Sequence, residues 1–433
     1  MTSTNPNDWK NYQVDHLFLL VGENPLPNYV AAQTLLNKGG TVYFVYTGQT
    51  VSQKNCLKTE LKIKGFKSKE IDLKDNKSNA YQIFNKVKGD AEKIPSNERI
   101  GLHYTGGTNT MAVHAHRAIF DVRGTDAVYS YLDAKTLEIF IDHPNSDSTH
   151  RGVQLTLSLK DLFKLHKYEW QENKKPLSEP ILPDAAAEFV RLYQNEEIAK
   201  TWRTWSNTHR YNNYGELKKA KELKDNEWRW KSEDDLSKLS LSLKGVHPDI
   251  IEVLRQQLDA SDTQILLKLT KAKGFNSCQQ VCEWLGGIWL EHYVLQQVKE
   301  LTKDLQLGES KMSFVIQKSQ TWEGGVFEFD VAFMRSYQVF AISCTTSKDP
   351  KECKLKLFEA YIRAKQLGGD EARVALVCCC DNDNSKKQHL SRYLKSQLEG
   401  AVSNPKIAVF LREDLPNLKE KIDNWVKDNK GAL

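Results

Sequence analysis

The chain reads as an α/β protein made of two mixed units with a helical stretch between them. Three observations predict this. Apolar, β-branched runs alternate with helix-periodic segments through residues 1–150. Residues 185–255 turn helical, charged and rich in tryptophan. From 271 onward the order is helix, strand, hairpin strand, helix, strand, which is α/β with a mixed sheet.

At 433 residues the chain exceeds one ordinary domain, so two or three are expected. We divide it at 1–150, 151–270 and 271–433. The 40% apolar content can build real cores, and a net charge of +5 permits nucleic-acid contact without demanding it. No run approaches the ~20 apolar residues of a membrane span, and the polar start MTSTNPNDWKNYQVD has no hydrophobic leader. The eight cysteines lack a paired CxxC pattern, so a reduced, cytoplasmic setting is expected. Cys378, Cys379 and Cys380 close an apolar run and read as the end of a buried strand.

In the first unit, His16 to Gly22 is an apolar run ending in glycine, followed by a turn through Asn28. A helix is expected from Tyr29 to Leu36, stopped by Gly39-Gly40. Thr41 to Tyr46 is β-branched and aromatic, so a second strand, closed by the polar turn Thr47–Thr50. A basic helix follows to Gly65, then a short strand at Glu70–Leu73 and a helix from Asn79. Asp126–Leu132 and Leu137–Ile141 read as a hairpin around Asp133-Ala134-Lys135.

The most informative stretch is Ile100 to Phe120, IGLHYTGGTNTMAVHAHRAIF. An apolar strand runs into Thr105-Gly106-Gly107-Thr108-Asn109-Thr110, and Met111, Ala112, Ala115, Ala118 and Ile119 then recur at helical spacing. A glycine turn between strand and helix leaves backbone N–H groups where an anion is stabilised. Thr or Asn in such a turn also serves as a plain helix cap, and both readings stand. The stretch is neither a P-loop nor a GxGxxG fingerprint. Three polar turns, at Gly22–Asn28, Thr47–Thr50 and Thr105–Thr110, follow apolar strands, so they can converge on one rim of a doubly wound sheet.

Pro176, Pro180 and Pro183 mark a connector into the middle segment. There Trp170, Trp202, Trp205, Trp228 and Trp230 lie among Arg203, His209, Arg210, Lys218, Lys219, Lys221, Arg229 and Lys231. Such interleaving can hold nucleic acid. We favour the simpler reading, in which the tryptophans anchor a small core and the cations form its solvated face.

In the third unit, Cys278–Leu301 is a helical pattern interrupted by Gly286-Gly287, with Glu291 among apolar neighbours. Met312–Ser319 alternates as a strand, the turn at 322–325 follows, and Val326–Met334 and Gln338–Thr345 form two more strands. Asp330 sits inside the apolar run FEFDVAFM. A buried carboxylate needs a cation or donor. Either Arg335 or a helix cation balances it structurally, or it belongs to a divalent-metal site.

The segments LFLLVGENPLPNYVAA and LHYTGGTNTM resemble the CARF sensor domain of CRISPR-associated ancillary proteins. GGIWLEHYV, FEFDVAFMRSYQVFAISCTT and KLKLFEAYIRAKQLGG resemble the PD-(D/E)xK nuclease domain that follows CARF in one branch of these effectors. The resemblance implies a Rossmann-like CARF domain, a helical middle segment and a restriction-endonuclease-like α/β domain. It implies a homodimer that binds a cyclic oligoadenylate, with cyclic tetra-adenylate favoured, through Gly22, Glu23, Asn24, Pro25, Asn28, Thr47, Thr105, Gly106, Gly107, Thr108, Asn109, Thr110 and Met111. It also implies a Mg²⁺- or Mn²⁺-dependent nuclease acting on DNA or RNA in type III CRISPR antiviral defence.

The nuclease pattern carries acid-x-lysine on the second hairpin strand, but this chain reads Ile342-Ser343-Cys344-Thr345-Thr346. Asp330 matches the first acid and Glu291 the helix acid, and these two are the expected metal ligands. Ser343 stands at the second acid position and Thr345 at the lysine position. Lys354 or Lys356 on the next helix is positioned to supply a migrated cation, ahead of Lys348 and Lys351. An altered active nuclease and a silent domain that works by binding are therefore both carried forward.

Overall fold

The computed structural model describes residues 9–143, 146–207, 215–318, 326–382, 389–399 and 405–429. His209, Arg210, Ser319 and the turn at 322–325 lie outside them.

The first sheet contains β1 (Val14–Leu20), β2 (Leu36–Tyr46), β3 (Lys67–Asp72), β4 (Ile100–His103), β5 (Val128–Asp133), β6 (Glu138–Asp142) and β7 (Thr149–Gly152), in the order β3-β2-β1-β4-β5-β6-β7. The first five in that order pair in parallel and the last two antiparallel. The chain reverses its direction across the sheet between β1 and β4, which opens a crevice beyond their carboxyl ends.

Helices α1 (Leu26–Leu35) and α2 (Val51–Ile63) cover one face, and α3 (Ala80–Ala91) and α4 (Asn109–Arg123) the other. α1 is mostly apolar, with only Gln33 and Thr34 partly exposed, because its own sheet and the second unit cover the rest of it. It ends at Leu35 without a glycine stop. Gly39 and Gly40 instead lie inside β2, where the pairing to β1 jumps from Val14↔Leu36 to His16↔Thr41. This corrects the expected helix end: the extra residues form a bulge, and Gly39 takes φ +78° there.

After β7 come α5 (Leu159–Leu165) and β8 (Tyr168–Trp170). The middle of the chain holds α6 (Pro183–Tyr193), α7 (Glu196–Ser206), α8 (Glu233–Ser237), α9 (Pro248–Leu258), α10 (Leu267–Lys271) and α11 (Cys278–Glu283). Two short ribbons interrupt them, β9 (Lys221–Lys224) with β10 (Glu227–Trp230), and β11 (Ser240–Ser242) with β12 (Gln264–Leu266). Trp202 and Trp205 are buried and stack at 4.4 Å, and Phe189 packs edge-on against Trp202 and Trp284. Trp228 is exposed, with the Lys218 ammonium 3.5 Å from its ring centre.

The second sheet has the order β17-β16-β15-β14-β13-β8, with β13 at Ser310–Lys318, β14 at Phe327–Arg335, β15 at Gln338–Thr345, β16 at Arg373–Cys378 and β17 at Ile407–Phe410. β8 is thus contributed by the 151–270 segment, where the sequence suggested a connector and helices rather than a strand. One face packs on α6, α9, α11, α12 (Trp289–Glu300) and α15 (Leu418–Asp428). The other packs on α13 (Pro350–Gly368) and α14 (Leu390–Glu399), and its core runs without a break into that of α1, α2 and α5. The two sheets therefore share one apolar layer. Gly287, at φ +143°, turns the chain between α11 and α12, which aims Glu291 at the sheet.

Candidate functional site

The first candidate locus is the crevice between β1 and β4. Leu17 to Leu20 are fully buried, so the loop that follows is delivered to a fixed point. A Cβ built on Gly106 would lie 2.0 Å from the Leu20 carbonyl oxygen, and one on Gly22 would lie 3.0 Å from the Gly107 nitrogen. The two glycine loops are in backbone contact, which only a missing side chain permits. Gly107 also takes φ +74°.

Asn28 is buried and donates from Nδ2 to Leu20 O at 2.9 Å, while its Oδ1 has no protein partner. Thr108 caps α4: its Oγ1 accepts from Met111 N–H at 3.2 Å and donates to Lys77 O at 3.0 Å. Thr105 Oγ1 accepts from Leu132 N–H at 2.6 Å. Thr47 and Thr50 cap one another's turn before α2. Asn24 Oδ1 accepts from Leu26 N–H at 3.0 Å, and its amide lies against Gly369 at the end of α13.

The hydroxyls of Thr47, Thr105 and Thr108 are thus engaged in holding the loops. The Met111 side chain is in the core and Pro25 is buried. Gly22, Glu23, Gly106, Gly107, Asn109 and Thr110 remain at the rim. Lys77 meets Thr108 through its backbone carbonyl, while its ammonium donates to Gln49 Oε1 at 2.8 Å. His103 lies beneath, with Nδ1 3.0 Å from Ser130 Oγ and Nε2 unpartnered; burial lowers its pKa to about 3, so it is neutral.

The second locus is on the second sheet. Phe327 and Phe329 face the same core as Ala332 and Met334, so β14 breaks its two-residue alternation at Asp330. Opposite it Ser313 of β13 takes φ +49°. β14 and β15 pair from Arg335↔Gln338 to Val331↔Ile342 and then part. At the fork Asp330 Oδ2 accepts from Cys344 N–H at 2.7 Å and from Ser343 Oγ at 2.9 Å. The carboxylate takes the place of a ladder carbonyl, and that positions it.

Glu291 Oε2 accepts from Ser313 Oγ at 2.5 Å. Burial, and then the Asp330 charge, push the Glu291 carboxyl well above its usual range. Burial also raises Asp330, against the opposing pull of Lys356. Lys356 sits on α13, and Asp330 holds its ammonium above the ordinary value. A cavity of about 60 Å³ is bounded by Glu328, Asp330, Ser343, Lys356, Glu359 and Arg363.

The geometry brings together Asp330, Ser343 and Lys356, with Glu291 electrostatically linked to Asp330. It does not bring Lys354, which donates to Gln397 Oε1 at 2.9 Å, or Thr345, whose Oγ1 accepts from Ser347 N–H at 3.1 Å. Lys174, bonded to Glu328, and Ser313 were not legible as site residues. Lys174 comes from the proline-marked connector, and Ser313 is one polar position in an alternating strand.

Among the described residues no three His, Cys, Asp or Glu side chains cluster as a metal site. Two mutually repelling buried carboxylates nevertheless suit Mg²⁺ or Mn²⁺, which commonly takes one or two carboxylates and completes its shell with water and phosphate oxygens. Asp330 and Glu291 are the residues that would hold it.

The molecule is thus a doubly wound α/β unit with a switch-point crevice, joined through a common core to a mixed α/β unit with a buried acidic pair. No family model matches the chain, and no curated protein matches it in sequence. Its fold is similar to that of protein VC1899 from Vibrio cholerae, with a TM-score of 0.72 and 15% identity over 96% of this chain and 99% of that one. It is also similar to Can2 from Sulfobacillus thermosulfidooxidans, solved in complex with cyclic tetra-adenylate, with a TM-score of 0.65 and 14% identity over 95% and 99%. A third structure, a type III CRISPR defence DNA nuclease activated by cyclic oligoadenylate, matches with a TM-score of 0.50 and 17% identity, covering 84% of this chain and 45% of that one. No described helix is long and apolar enough to cross a membrane.

Proposed function

We propose that this chain is a cyclic-oligoadenylate-sensing CRISPR effector of the CARF type, whose C-terminal unit is a metal-dependent nuclease acting on DNA or RNA. The observation that carries the reading is the match over nearly the whole chain, both sheets included, to a protein solved with cyclic tetra-adenylate. Residues 1–150 act as the sensor, 271–433 as the nuclease, and 151–270 as the packing segment between them. Two copies related by symmetry place two glycine rims around one cyclic ligand, whose phosphates accept from the backbone N–H groups near Gly22, Gly106, Gly107 and Asn109.

In the acidic site a bound divalent ion supplies Lewis acidity toward a phosphodiester. Ser343 Oγ and the Cys344 N–H fix Oδ2 of Asp330, so the carboxylate is presented in one orientation. Lys356 supplies the positive charge that acid-x-lysine places on the strand in the usual pattern. Its ammonium is protonated at neutral pH because Asp330 favours the charged form.

The test is cleavage of labelled single- and double-stranded DNA and RNA with Mn²⁺, with and without cyclic tetra-adenylate. Cleavage that requires the ring and vanishes in Asp330→Asn supports the reading; cleavage unchanged in that variant removes the assigned site. A second reading is favoured by Ser343 and Thr345: a sensor with a silent nuclease unit that acts by binding. It predicts ring-dependent nucleic-acid binding with no cleavage.

A further inference from the structure

The β9–β10 ribbon is the part of the middle segment that a core role for its tryptophans does not cover. Trp202 and Trp205 are buried, as that role requires. Trp228 is 47% exposed, and Leu223, its partner across the ribbon, is 59% exposed. Adjoining exposed apolar side chains, unlike scattered ones, mark a contact surface. Trp230 continues this surface to the point where it packs against the main core.

The ribbon sorts its charges by face. Residues opposite one another in an antiparallel pair share a face, and so do residues two apart on one strand. The register Trp228↔Leu223 and Trp230↔Lys221 puts these four side chains together. Glu227↔Lys224 and Arg229↔Glu222 put both acids of the two strands on the other face. There Arg229 is neutralised by Glu227 at 3.0 Å and by Asp225 of the turn at 3.8 Å. The charges against the tryptophans are cationic: Lys218 stands over Trp228, and the Lys221 ammonium lies 4.6 Å from the Trp230 ring centre. Burial and then the Lys218 charge hold Lys221 below its ordinary pKa, against the opposing pull of Glu283.

The ribbon is also well fixed. Asp225 and Asn226 take φ +52° and +63°, which makes the two-residue turn that suits strand twist. Lys231 N–H donates to Ala220 O at 3.0 Å and closes the base. The helical turn before it, Glu216–Ala220, packs on the bend between α11 and α12: a Cβ built on Gly286 would lie 3.4 Å from Leu217 Cδ2. That bend aims Glu291, so the ribbon is rooted at the approach to the acidic pair.

We propose that the tryptophan face of the β9–β10 ribbon binds single-stranded nucleic acid and holds it for the acidic site. A base stacks on the Trp228 indole in place of the Lys218 ammonium, and Lys218 and Lys221 donate to the flanking phosphates. An indole stacks on any base, but only an unpaired base offers its face. The proposal rests on the nuclease reading for the fate of the strand, not for its binding.

The experiment is fluorescence anisotropy of the full Asp330→Asn chain, which keeps the strand whole, with cyclic tetra-adenylate and Mn²⁺ present. The probes are a labelled mixed-sequence single strand, as DNA and as RNA, and the DNA duplex of the same sequence. The single strand should bind more tightly than the duplex. Adding Trp228→Ala, at an exposed position, should weaken the single strand at least about fivefold, the lower end for loss of one base stack. Lys218→Gln with Lys221→Gln should flatten the slope of log affinity on log salt by about 1.4, for two phosphate contacts. Arg229→Gln, on the opposite face, should change little. Failure of both single strands to bind overturns the proposal. So do unchanged affinity in Trp228→Ala, equal binding of the duplex, and a loss in Arg229→Gln as large as in Trp228→Ala. Trp228-dependent binding with no cleavage by the wild-type chain removes the nuclease reading and leaves this one; cleavage by wild type with unchanged binding in Trp228→Ala does the reverse.

Discussion

Gly106→Ala is the sharpest probe of the crevice. The added methyl would lie 2.0 Å from Leu20 O, about 1 Å inside the closest approach a Cβ tolerates. The Leu20 carbonyl ends a strand that is fully buried from Leu17 to Leu20 and also accepts from Asn28 Nδ2. Relief therefore means parting the two loops, with overpacking costing roughly 1–3 kcal/mol. The loss of the Asn28 bond leaves a buried amide unsatisfied for about another 1–3 kcal/mol. The sum, about 2–6 kcal/mol, corresponds to a drop of roughly 5–20 °C in the melting midpoint for a unit of this size. Gly89→Ala is the matched control: it lies in α3, with nothing within 4 Å of the new methyl. It should be neutral or stabilise by about 0.5–1 kcal/mol. Differential scanning calorimetry compares the two variants. A Gly106→Ala midpoint within 1 °C of wild type, given as roughly the smallest shift resolved for ~0.5 kcal/mol, would refute the backbone contact between the loops.

Three further outcomes are expected. Lys356→Met should reduce ring-stimulated cleavage at least about a hundredfold, as loss of a charge-stabilising group does, while Lys354→Met changes it little; equal effects in the same gel assay would dismiss Lys356 as the site cation. Glu196 accepts from Arg203, Lys348 and Arg412. Burial opposes its ionisation, but the bonds from Lys348 and Arg203 prevail and lower its pKa to about 2. Its contribution is therefore full above the unfolded value near 4.5 and is lost as pH falls toward 2. With the side chain 36% exposed, screening leaves about 1–2 kcal/mol, so urea melts of Glu196→Gln and wild type should differ at pH 7 and converge only as the pH approaches about 2. Trp289→Ala, at a fully buried position between Phe189 and Tyr193, should cost ~3–5 kcal/mol; a tryptophan-fluorescence melt within ~1 kcal/mol of wild type would contradict that packing.

Much of the fold was legible because it rests on local periodicity. The strand ending at His103, the cap at Thr108 and the helix to Arg123 follow from apolar spacing and one capping hydroxyl. Asp330 stood out because a charge inside FEFDVAFM has few ways to be tolerated. Gly39-Gly40 misled because the same pair that ends a helix also permits a bulge in a strand, and only pairing to β1 distinguishes the two.

What the amino-acid order determined by itself was the main strands and helices of the two sheets, the Gly106-Gly107 turn and the unusual Ser343-Cys344-Thr345 run, since each depends on residues near one another in the chain. What only the tertiary structure decided was which distant groups meet. Lys356 rather than Lys354 faces Asp330 because α13 is rotated about its axis by its packing on the sheet. Lys174 reaches Glu328 because β8 is recruited to the edge of β13. Arg335 meets the Val426 carbonyl because the hairpin tip packs on α15. Such meetings are set by the burial of whole faces, a free energy summed over many side chains, and no short window of sequence carries that sum.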